Sequence, residues 1–246
     1  MSEPVIDIRE LSTIKEFGDA VQLQQVIWGF DEIELLPVRL FVVASKIGGQ
    51  SLGAYDRERM IGFALAIPGL KPGGKTYLHS HIAGVLPEYR NYGIGRRLKL
   101  RQREDAIPRG VDLIEWTFDP LEIKNAYFNI ERLGAVVRRF VRNQYGVTTS
   151  KLHGGMPTDR CIAEWWLKTE RVNTITADGP YVRTEVAARV AVPVEIAVLR
   201  SADPKRAKDI QARVSDGFEE NLGKGLTVTG MERSDKFGTY LFGENW

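Results

Sequence analysis

Cysteine is almost missing from this chain: Cys161 is the only one among 246 residues. A lone cysteine excludes an internal disulfide and a cluster of thiolate metal ligands, and we expect it to be a small buried residue. Long apolar runs are missing too, because the longest, residues 60–70, is broken by glycine and proline and is far shorter than the roughly 20 residues that span a bilayer. The first residues lack the basic-then-apolar pattern of a signal peptide. We therefore expect a soluble, cytoplasmic protein with no membrane segment.

An excess of either charge is also lacking, since 34 Lys and Arg stand against 32 Asp and Glu, a net charge of +2. So small a charge argues against a nucleic-acid partner. Apolar residues make up 43% of the chain, which is typical of a globular protein, and the length suits one large domain or one domain with an extension. Residues 174–179 are small and polar and form the best linker candidate. We expect a domain of residues 1–170 and a C-terminal extension of residues 171–246.

Hydrophobic periodicity and turn residues predict both helices and strands. The first helix begins at a capping box, Thr13-x-x-Glu16, and ends at Gly29. Asp119-Pro120-x-Glu122 predicts a second helix start, and Asp203-Pro204 predicts a third. Further helices are predicted over residues 37–44 and from about 95 to 107, and strands over residues 5–9, 51–55, 60–67, 76–85, 112–118, 136–141, 160–167, 190–199 and 226–229.

The helix that begins at Asp203 has a continuous apolar face through residue 222. Because an isolated helix with such a face is marginal in water, we expect that face to be buried. The extension would then pack on the side of the sheet left open by residues 136–141 and 160–167, with residues 194–199 as an added strand. Trp165, Trp166 and the extension are also candidate interface material for a homodimer.

The segment from Gly84 to Leu98 carries the most information about function. A strand ends, the chain turns, and Gly93-Ile94-Gly95 opens a helix. Backbone N–H groups converge at such a helix N-terminus, where a pyrophosphate can bind. Gly93 would allow close backbone approach, and Gly95 would avoid a side chain in a crowded first turn.

Two other readings of this turn stay open. It could be an unoccupied strand–helix connection, or a dinucleotide fingerprint with Glu115 as the ribose-binding acid. The second reading lacks the final glycine, because Leu98 stands there. A Walker A loop is excluded because no Gly-Lys-Ser/Thr follows.

The run Val85-Leu-Pro-Glu-Tyr-Arg90-x-x-Gly93-x-Gly95 resembles motif A of the GNAT acyl-CoA-dependent N-acyltransferases, Arg/Gln-x-x-Gly-x-Gly/Ala. The resemblance covers roughly residues 5–167, and Glu115–Pro120 is similar to an uncharacterised branch of that family. It implies an α+β GNAT fold, a mixed central sheet flanked by helices, here with a C-terminal α/β extension. It also implies that acetyl-CoA or another acyl-CoA binds as co-substrate. The residues implied for that binding are Ala83 and Val85 along the pantetheine arm, Arg90, Asn91, Tyr92, Gly93, Ile94, Gly95 and Arg96 around the pyrophosphate, and Asn125 at the start of a later helix.

Amine acylation needs a base for the ammonium proton, and an acid can protonate the departing thiolate. Glu115 is the first candidate base, because an apolar strand would raise its pKa; the alternative is a carboxylate held in a structural network. His79 and His81 share one strand face by alternation, and His81 is the second candidate base. No third ligand accompanies this histidine pair, so we expect no metal. The family's acid is a Tyr where this chain has Ile130, so Tyr127, one turn earlier, is the candidate substitute.

These observations predict an acetyltransferase that moves an acetyl group from acetyl-CoA to a primary amine, a small molecule or an amino acid, by direct attack in a ternary complex. A succinyl-CoA-dependent N-succinyltransferase acting on amino acids is one alternative. A non-catalytic CoA-binding or regulatory module is the other, and the missing Tyr at Ile130 favours it. The cations of the helix after Gly95 are expected to form a solvated face, with one or two meeting the 3′-phosphate of CoA: Arg96, Arg97, Lys99, Arg101 and Arg103.

Overall fold

The computed structural model describes residues 5–146, 155–183 and 185–244. These residues form two compact units, Met1–Ile114 and Glu115–Trp246, which are described separately below. The boundary falls inside a strand, and the expected division into residues 1–170 and 171–246 stays a prediction.

The first unit contains three α-helices and four complete strands among its described residues. Their order is β1 (Ile6–Glu10), α1 (Ile14–Trp28), α2 (Val38–Lys46), β2 (Gln50–Asp56), β3 (Arg59–Leu70), β4 (Thr76–Val85) and α3 (Ile94–Ala106). The strands pair antiparallel in the order β1-β2-β3-β4. The predicted strands over residues 51–55, 60–67 and 76–85 are confirmed, and the first two pair as a hairpin.

Local sequence signals explain where α1 begins and ends. The Thr13 hydroxyl accepts a hydrogen bond from the Glu16 amide at 3.2 Å, and the Glu16 carboxylate accepts one from the Thr13 amide at 2.9 Å. Gly29 closes the helix with a φ of +67°, which a side chain would disfavour. The capping-box prediction is confirmed.

The helices of the first unit cover both faces of its sheet. On one face Phe63 contacts Trp28 of α1 and Phe41 of α2, with ring centroids 6.0 Å apart in each pair. The opposite face carries Gln50 and Ser80, whose partners are on α3. The register supports this division. Gln50 and Ser80 both pair with Ala66 of β3, three positions after Phe63. Because successive side chains of a strand alternate between the two faces, Ala66 and its partners lie on the face opposite to Phe63.

The second unit begins within β5 (Leu113–Phe118) and continues with α4 (Ile123–Tyr127), β6 (Val136–Val141), β7 (Arg160–Trp166), α5 (Glu170–Thr176), β8 (Ala188–Pro193), α6 (Ile196–Ala202), α7 (Pro204–Gly223), β9 (Thr227–Arg233) and β10 (Phe237–Gly243). From β5 the strands follow the order β5-β7-β6-β9-β10-β8. The extension therefore continues the sheet beyond β6, where Val228 of β9 pairs with Val137.

The apolar face of α7 is buried, as expected. Phe218 is fully buried and packs edge-to-face on Tyr240 and Phe242 of β10, with centroids 4.8 and 5.4 Å away. Asp203 caps this helix by accepting from the Arg206 amide at 3.1 Å. The predicted helix start at Asp203-Pro204 is confirmed.

Three sequence predictions in this unit are wrong. Residues 174–179 are not a linker, because α5 runs to Thr176 and its Val172 is buried. Residues 190–199 are not one strand. β8 ends at Pro193, which has no N–H to donate, and residues 196–202 form α6, so residues 194–199 add no strand. The helix predicted at Asp119 begins only at Ile123, since the Asp119 carboxylate accepts from the Leu121 amide within the preceding loop.

Cys161 is buried and its pKa is raised by loss of solvation, which fits an inert core residue. Trp165 is fully buried, donates to the Leu133 carbonyl and packs on Trp116, so it cannot belong to an exposed dimer interface. No helix within residues 5–146, 155–183 and 185–244 is long and apolar enough to cross a membrane.

Candidate active site

A tight turn connects β4 to α3 in the first unit. After a short 3-10 turn at Pro87–Tyr89 the backbone passes through two left-handed residues, Asn91 with φ +72° and Gly93 with φ +73°. Gly93 is the N-cap of α3 and no side chain caps the helix there. The first helical amides, at Ile94 and Gly95, have no preceding carbonyl within the helix to bond, so they are directed out of its N-terminus.

The two motif glycines have different roles. A Cβ built on Gly95 would meet no atom within 4 Å, so the turn is not crowded and the expected steric reason for this glycine is wrong. A Cβ there would instead stand in the open space that the helix N-terminus faces. Gly93 also has open space around it, but its positive φ alone favours glycine. The absence of a Cβ at Gly95 therefore leaves the space beside the first helical amides free of protein atoms.

The side chains of the turn leave that approach accessible. Arg90, Asn91 and Tyr92 are exposed, and Tyr92 retains 54% of its surface. Ile94 is buried in the core, so only its backbone can take part in binding. The base of the turn is fixed from the sheet, because the Tyr89 hydroxyl donates to Asp56 at 2.9 Å and the Leu86 amide donates to the Ile61 carbonyl at 2.9 Å.

Strand β4 contains a bulge just before the residues implied for the pantetheine arm. Ser80 pairs with Ala66 of β3 and Ile82 pairs with Leu65, so His81 is an extra residue with no opposite partner on β3. Ala83 and Val85 return to regular pairing and lie on the strand that leads into the turn. The structure thus brings Ala83, Val85 and residues 90–96 into one continuous strand–turn–helix segment.

The two histidines of β4 lie side by side, as the alternation predicts, with ring centroids 5.8 Å apart. Loss of solvation, together with His81 and two lysines, lowers the pKa of His79 to about 4. Loss of solvation also lowers the pKa of His81, although part of this side chain remains in contact with solvent. Both imidazoles are therefore neutral at neutral pH and have a lone pair available. No group of three metal-binding side chains occurs within the described residues.

Sequence reasoning missed the buried position of one lysine of the cationic run. Lys99 is buried under α3, donates to the Ser80 hydroxyl at 2.7 Å, and has its pKa lowered to about 7 by loss of solvation. Ser80 in turn donates to Gln102 at 3.1 Å. Arg97 and Arg101 agree better with the expected solvated face. Arg97 donates to the Ile6 carbonyl and Arg101 pairs with Asp105, and both arginines are at least partly exposed.

In the second unit Glu115 lies on β5 with only 5% of its side chain exposed. Its carboxylate accepts a hydrogen bond from Arg139 of β6, so its surroundings are charged and the expected apolar setting is wrong. Arg139 also donates to Glu164 of β7 at 3.1 Å, and Arg138 donates to the same carboxylate at 2.9 Å. Glu115 is thus part of an ion-pair network across three strands.

Sequence reasoning also missed this network. The available signal was the presence of charged residues in the middle of apolar strands: Arg138 and Arg139 within residues 136–141, and Glu164 within residues 160–167. Charged residues are rarely buried without a partner, so such positions predict pairing or a binding role.

The other proposed residues of this unit are on and after α4. Tyr127 is half-buried at the end of α4, and the Arg233 guanidinium lies 5.2 Å from its ring centroid. The ring lines a cavity of about 480 Å³ with Arg183 and residues 231–235. Asn125 is exposed on α4, whereas Ile130 is fully buried. The roles assigned to Tyr127 and Asn125 stay predictions.

No protein-family model and no curated protein matches the sequence. Solved structures do match. Arabidopsis thaliana NAA60 in complex with acetyl-CoA has a TM-score of 0.55 at 16% identity over 67% of this chain and 100% of that chain. The ribosomal-protein-S18-alanine N-acetyltransferase from Escherichia coli has a TM-score of 0.53 at 17% identity, covering 67% of this chain and 96% of that one. Arabidopsis thaliana Naa50 with the bisubstrate analogue CoA-Ac-MVNAL has a TM-score of 0.52 at 16% identity, covering 65% and 97%. The chain therefore has the GNAT acetyltransferase fold over about two thirds of its length.

Proposed function

We propose that this protein is an acyl-CoA-dependent N-acyltransferase that transfers an acetyl group from acetyl-CoA to a primary amine. The observation that carries the proposal is the β4–α3 turn, where the missing Cβ of Gly95 leaves open the approach to the amides of a helix N-terminus. Such a site suits a pyrophosphate, because the amides donate hydrogen bonds and the helix dipole favours negative charge. The acetyl-CoA and CoA-analogue complexes of NAA60 and Naa50, on the same fold, support this choice of ligand.

In this proposal different residues of the β4–α3 segment bind different parts of acyl-CoA. The amides of residues 90–96 hold the pyrophosphate, and the guanidinium of Arg96, in the first turn of α3, provides a nearby positive charge. Ala83 and Val85 supply backbone groups for the pantetheine arm. Acyl-CoA contributes an activated thioester, and the protein binds it and orients it toward the amine.

The transfer requires one proton acceptor from the protein. The amine nitrogen forms a bond to the acyl carbon, the carbon–sulfur bond breaks, and the proton lost by the amine is balanced by protonation of the thiolate. We propose that His81 accepts the amine proton, because its imidazole is exposed and the lowered pKa keeps it neutral. Glu115 is buried and bonded to Arg139, so we assign it to the network that orders its strands.

One assay tests the activity and the assignment of the base. Release of CoA thiol from acetyl-CoA is measured with pooled amino acids, polyamines and short peptides as acceptors. We expect turnover by the wild type, a loss of about 100-fold in His81→Gln with CoA binding retained, and a much smaller loss in Glu115→Gln. The wild-type rate should fall as the pH drops below 6.5 and His81 becomes protonated.

Other results of the same assay would redirect the proposal. A large loss in Glu115→Gln with little change in His81→Gln would make Glu115 the base. Turnover with succinyl-CoA and none with acetyl-CoA would identify an N-succinyltransferase. CoA binding with no thiol release from either donor would indicate a CoA-binding module without catalysis, an alternative that the buried Ile130 favours because no acid stands at that position.

We further propose that the activity belongs to residues 1–170, that a small-molecule amine is the acceptor, and that the protein is cytoplasmic. The fold match over about two thirds of the chain supports the first of these statements. A homodimer stays open, with Trp165 excluded from its interface.

A further inference from the structure

A buried arginine of the second unit has no acidic partner among the residues that the structure describes. Arg171, in the first turn of α5, is only 6% exposed. Its Nε donates to the Gly134 carbonyl at 2.9 Å, and its Nη2 donates to the Ile130 carbonyl at 3.2 Å. No carboxylate in the described part of the chain forms an ion pair with it. Its positive charge therefore lacks the opposite charge that buried ionised groups usually have beside them.

The hydrogen bonds of Arg171 leave one edge of its guanidinium unused. Nε–H and the neighbouring N–H of Nη2 form one fork, which the two carbonyls fill. Tyr181 covers a flat face, since its ring centroid lies 4.9 Å from the guanidinium carbon. The second fork, formed by Nη1 and the remaining N–H of Nη2, donates to no protein atom of the described ranges. The guanidinium is thus held in one orientation with a pair of parallel donors left over.

Arg171 is part of the wall of an open cavity of about 450 Å³ in the same unit. Its Nη1 is not among the buried polar atoms that lack a partner, so the unused fork is not sealed inside the protein. A cavity of this volume can hold a small molecule. The charged and aromatic residues of the wall are Arg132, Arg171, Arg183, Glu131, Asp178 and Tyr181.

The charges of this wall favour a ligand with one negative charge. Arg183 donates to Glu131 at 2.8 Å, and Arg132 lies 3.3 Å from Asp178. Three arginines against two acids leave a charge of +1, and the arginine without an acid is the buried Arg171. A carboxylate balances this charge, whereas a phosphate monoester carries about 1.5 to 2 negative charges at neutral pH.

We propose that this cavity binds the carboxylate of a small organic acid through the second fork of Arg171. Two parallel N–H donors match the two oxygens of a carboxylate, and such bidentate, charge-assisted bonds are strong and specific. Because two carbonyls and Tyr181 already fix the side chain, binding costs little side-chain entropy. The site lies within the second unit and does not depend on the proposed acyl transfer.

A purely structural role for Arg171 makes a different prediction. The carbonyls that it binds lie in and just after the helical turn Phe128–Arg132, where carbonyl groups lack partners within the helix. An arginine that only capped this turn would stabilise the fold and bind no acid. A comparison of carboxylates with amides of the same shape therefore separates the two roles.

The test is a ligand-observed NMR titration of the full chain without acyl-CoA. The probes are propionate and benzoate, their amides propionamide and benzamide, and inorganic phosphate. We expect the wild type to bind at least one carboxylate about tenfold or more tightly than its amide, and more tightly than phosphate. Arg171→Lys keeps the positive charge and can donate to the carbonyls but has no fork, so it should lose most of this preference. Urea denaturation establishes that the variant is folded.

Two exposed residues of the wall allow a test that leaves the buried arginine in place. Arg183→Gln removes a positive charge and Asp178→Asn removes a negative one, at side chains that are 38% and 58% exposed. Asparagine also tolerates the φ of +55° at position 178. We expect the first variant to weaken carboxylate binding about two- to fivefold and the second to strengthen it by a similar factor.

Arg142→Lys is the matched control, because Arg142 pairs with Asp216 and Glu219 and is not part of the cavity wall. It should leave every dissociation constant unchanged. The proposal is overturned if the wild type binds neither carboxylate, binds each no more tightly than its amide, or prefers phosphate. An undiminished preference in folded Arg171→Lys, or shifts in the same direction in Arg183→Gln and Asp178→Asn, would also overturn it.

Discussion

At the scale of single residues, Lys99 is a lysine that the fold buries, and its titration should affect stability. It is buried on α3, bonded to Ser80, and its pKa is lowered from 10.5 to about 7 by loss of solvation. Above pH 7 and up to 10.5 the unfolded chain still binds this proton and the folded chain does not, so the free energy of unfolding should rise with pH across that range. The contribution of one proton approaches about 1.4 kcal/mol per pH unit.

Denaturant titrations of the wild type and Lys99→Met at several pH values measure this effect. We expect the methionine variant to be the more stable near pH 7, because it removes the cost of burying a charged or readily charged amine, and to lack the rise with pH. Lys15→Met is the control, since Lys15 is 85% exposed and should leave the pH dependence as it is. Parallel pH profiles for wild type and Lys99→Met would contradict the burial of Lys99.

Residues whose role depends only on the local backbone conformation could be predicted from the sequence. Gly93 and Gly95 mark a turn into a helix, and the structure confirms that turn even though it changes the reason for Gly95. Lys99 and Arg139 could not be placed, because their burial and pairing depend on which strand lies beside them. That information is in the sheet register and in the bulge at Arg138, which no short window of sequence contains.

At the scale of elements, a buried ion pair ties α6 to the loop that follows β5. Arg200 is 8% exposed and donates to Asp119 at 2.7 Å and to Glu122. Replacing it would leave two carboxylates without this partner next to the start of α4. We expect Arg200→Met to lower the free energy of unfolding by about 2–3 kcal/mol, measured by urea denaturation.

Arg206→Met provides the comparison for that experiment. Arg206 pairs with Glu195, but both side chains are half exposed, at 57% and 50%, so its loss should cost less than about 1 kcal/mol. Equal costs for the two variants would show that Arg200 does not organise the loop.

The ion pair between Arg200 and Asp119 explains why one Asp-Pro pattern predicted a helix start correctly and the other did not. Asp203 caps α7 by accepting a hydrogen bond from the amide of Arg206, three residues later, so this helix start could be predicted from the local sequence. Asp119 has the same Asp-Pro pattern but is bonded to the Leu121 amide and to Arg200 from α6, and the helix begins four residues later. Distant pairing of this kind has no local signature. Pro193 marked an interruption within residues 190–199, but the sequence did not show that a helix, α6, follows it.

At the scale of the whole molecule, CoA binding is assigned to the β4–α3 turn of the first unit. The fold could be anticipated because a short motif, the order of strands and helices around it, and its resemblance to a known family agreed. The ion-pair network of Glu115, Arg139 and Glu164 could not be anticipated, since these residues become neighbours only through the pairing order of β5, β7 and β6.

The assignment of the β4–α3 turn as the pyrophosphate site is tested by titrating CoA into the wild type, Gly95→Val and Gly18→Val. Gly18 is a helical glycine of α1 and, like Gly95, has no atom within 4 Å of an added Cβ, so both variants should fold. Gly93 is unsuitable because its φ of +73° would strain a valine. We expect Gly95→Val to bind CoA at least about tenfold more weakly, about 1.4 kcal/mol, and Gly18→Val to bind it as the wild type does. Unchanged CoA affinity in a folded Gly95→Val protein would contradict the assignment of the β4–α3 turn as the pyrophosphate site.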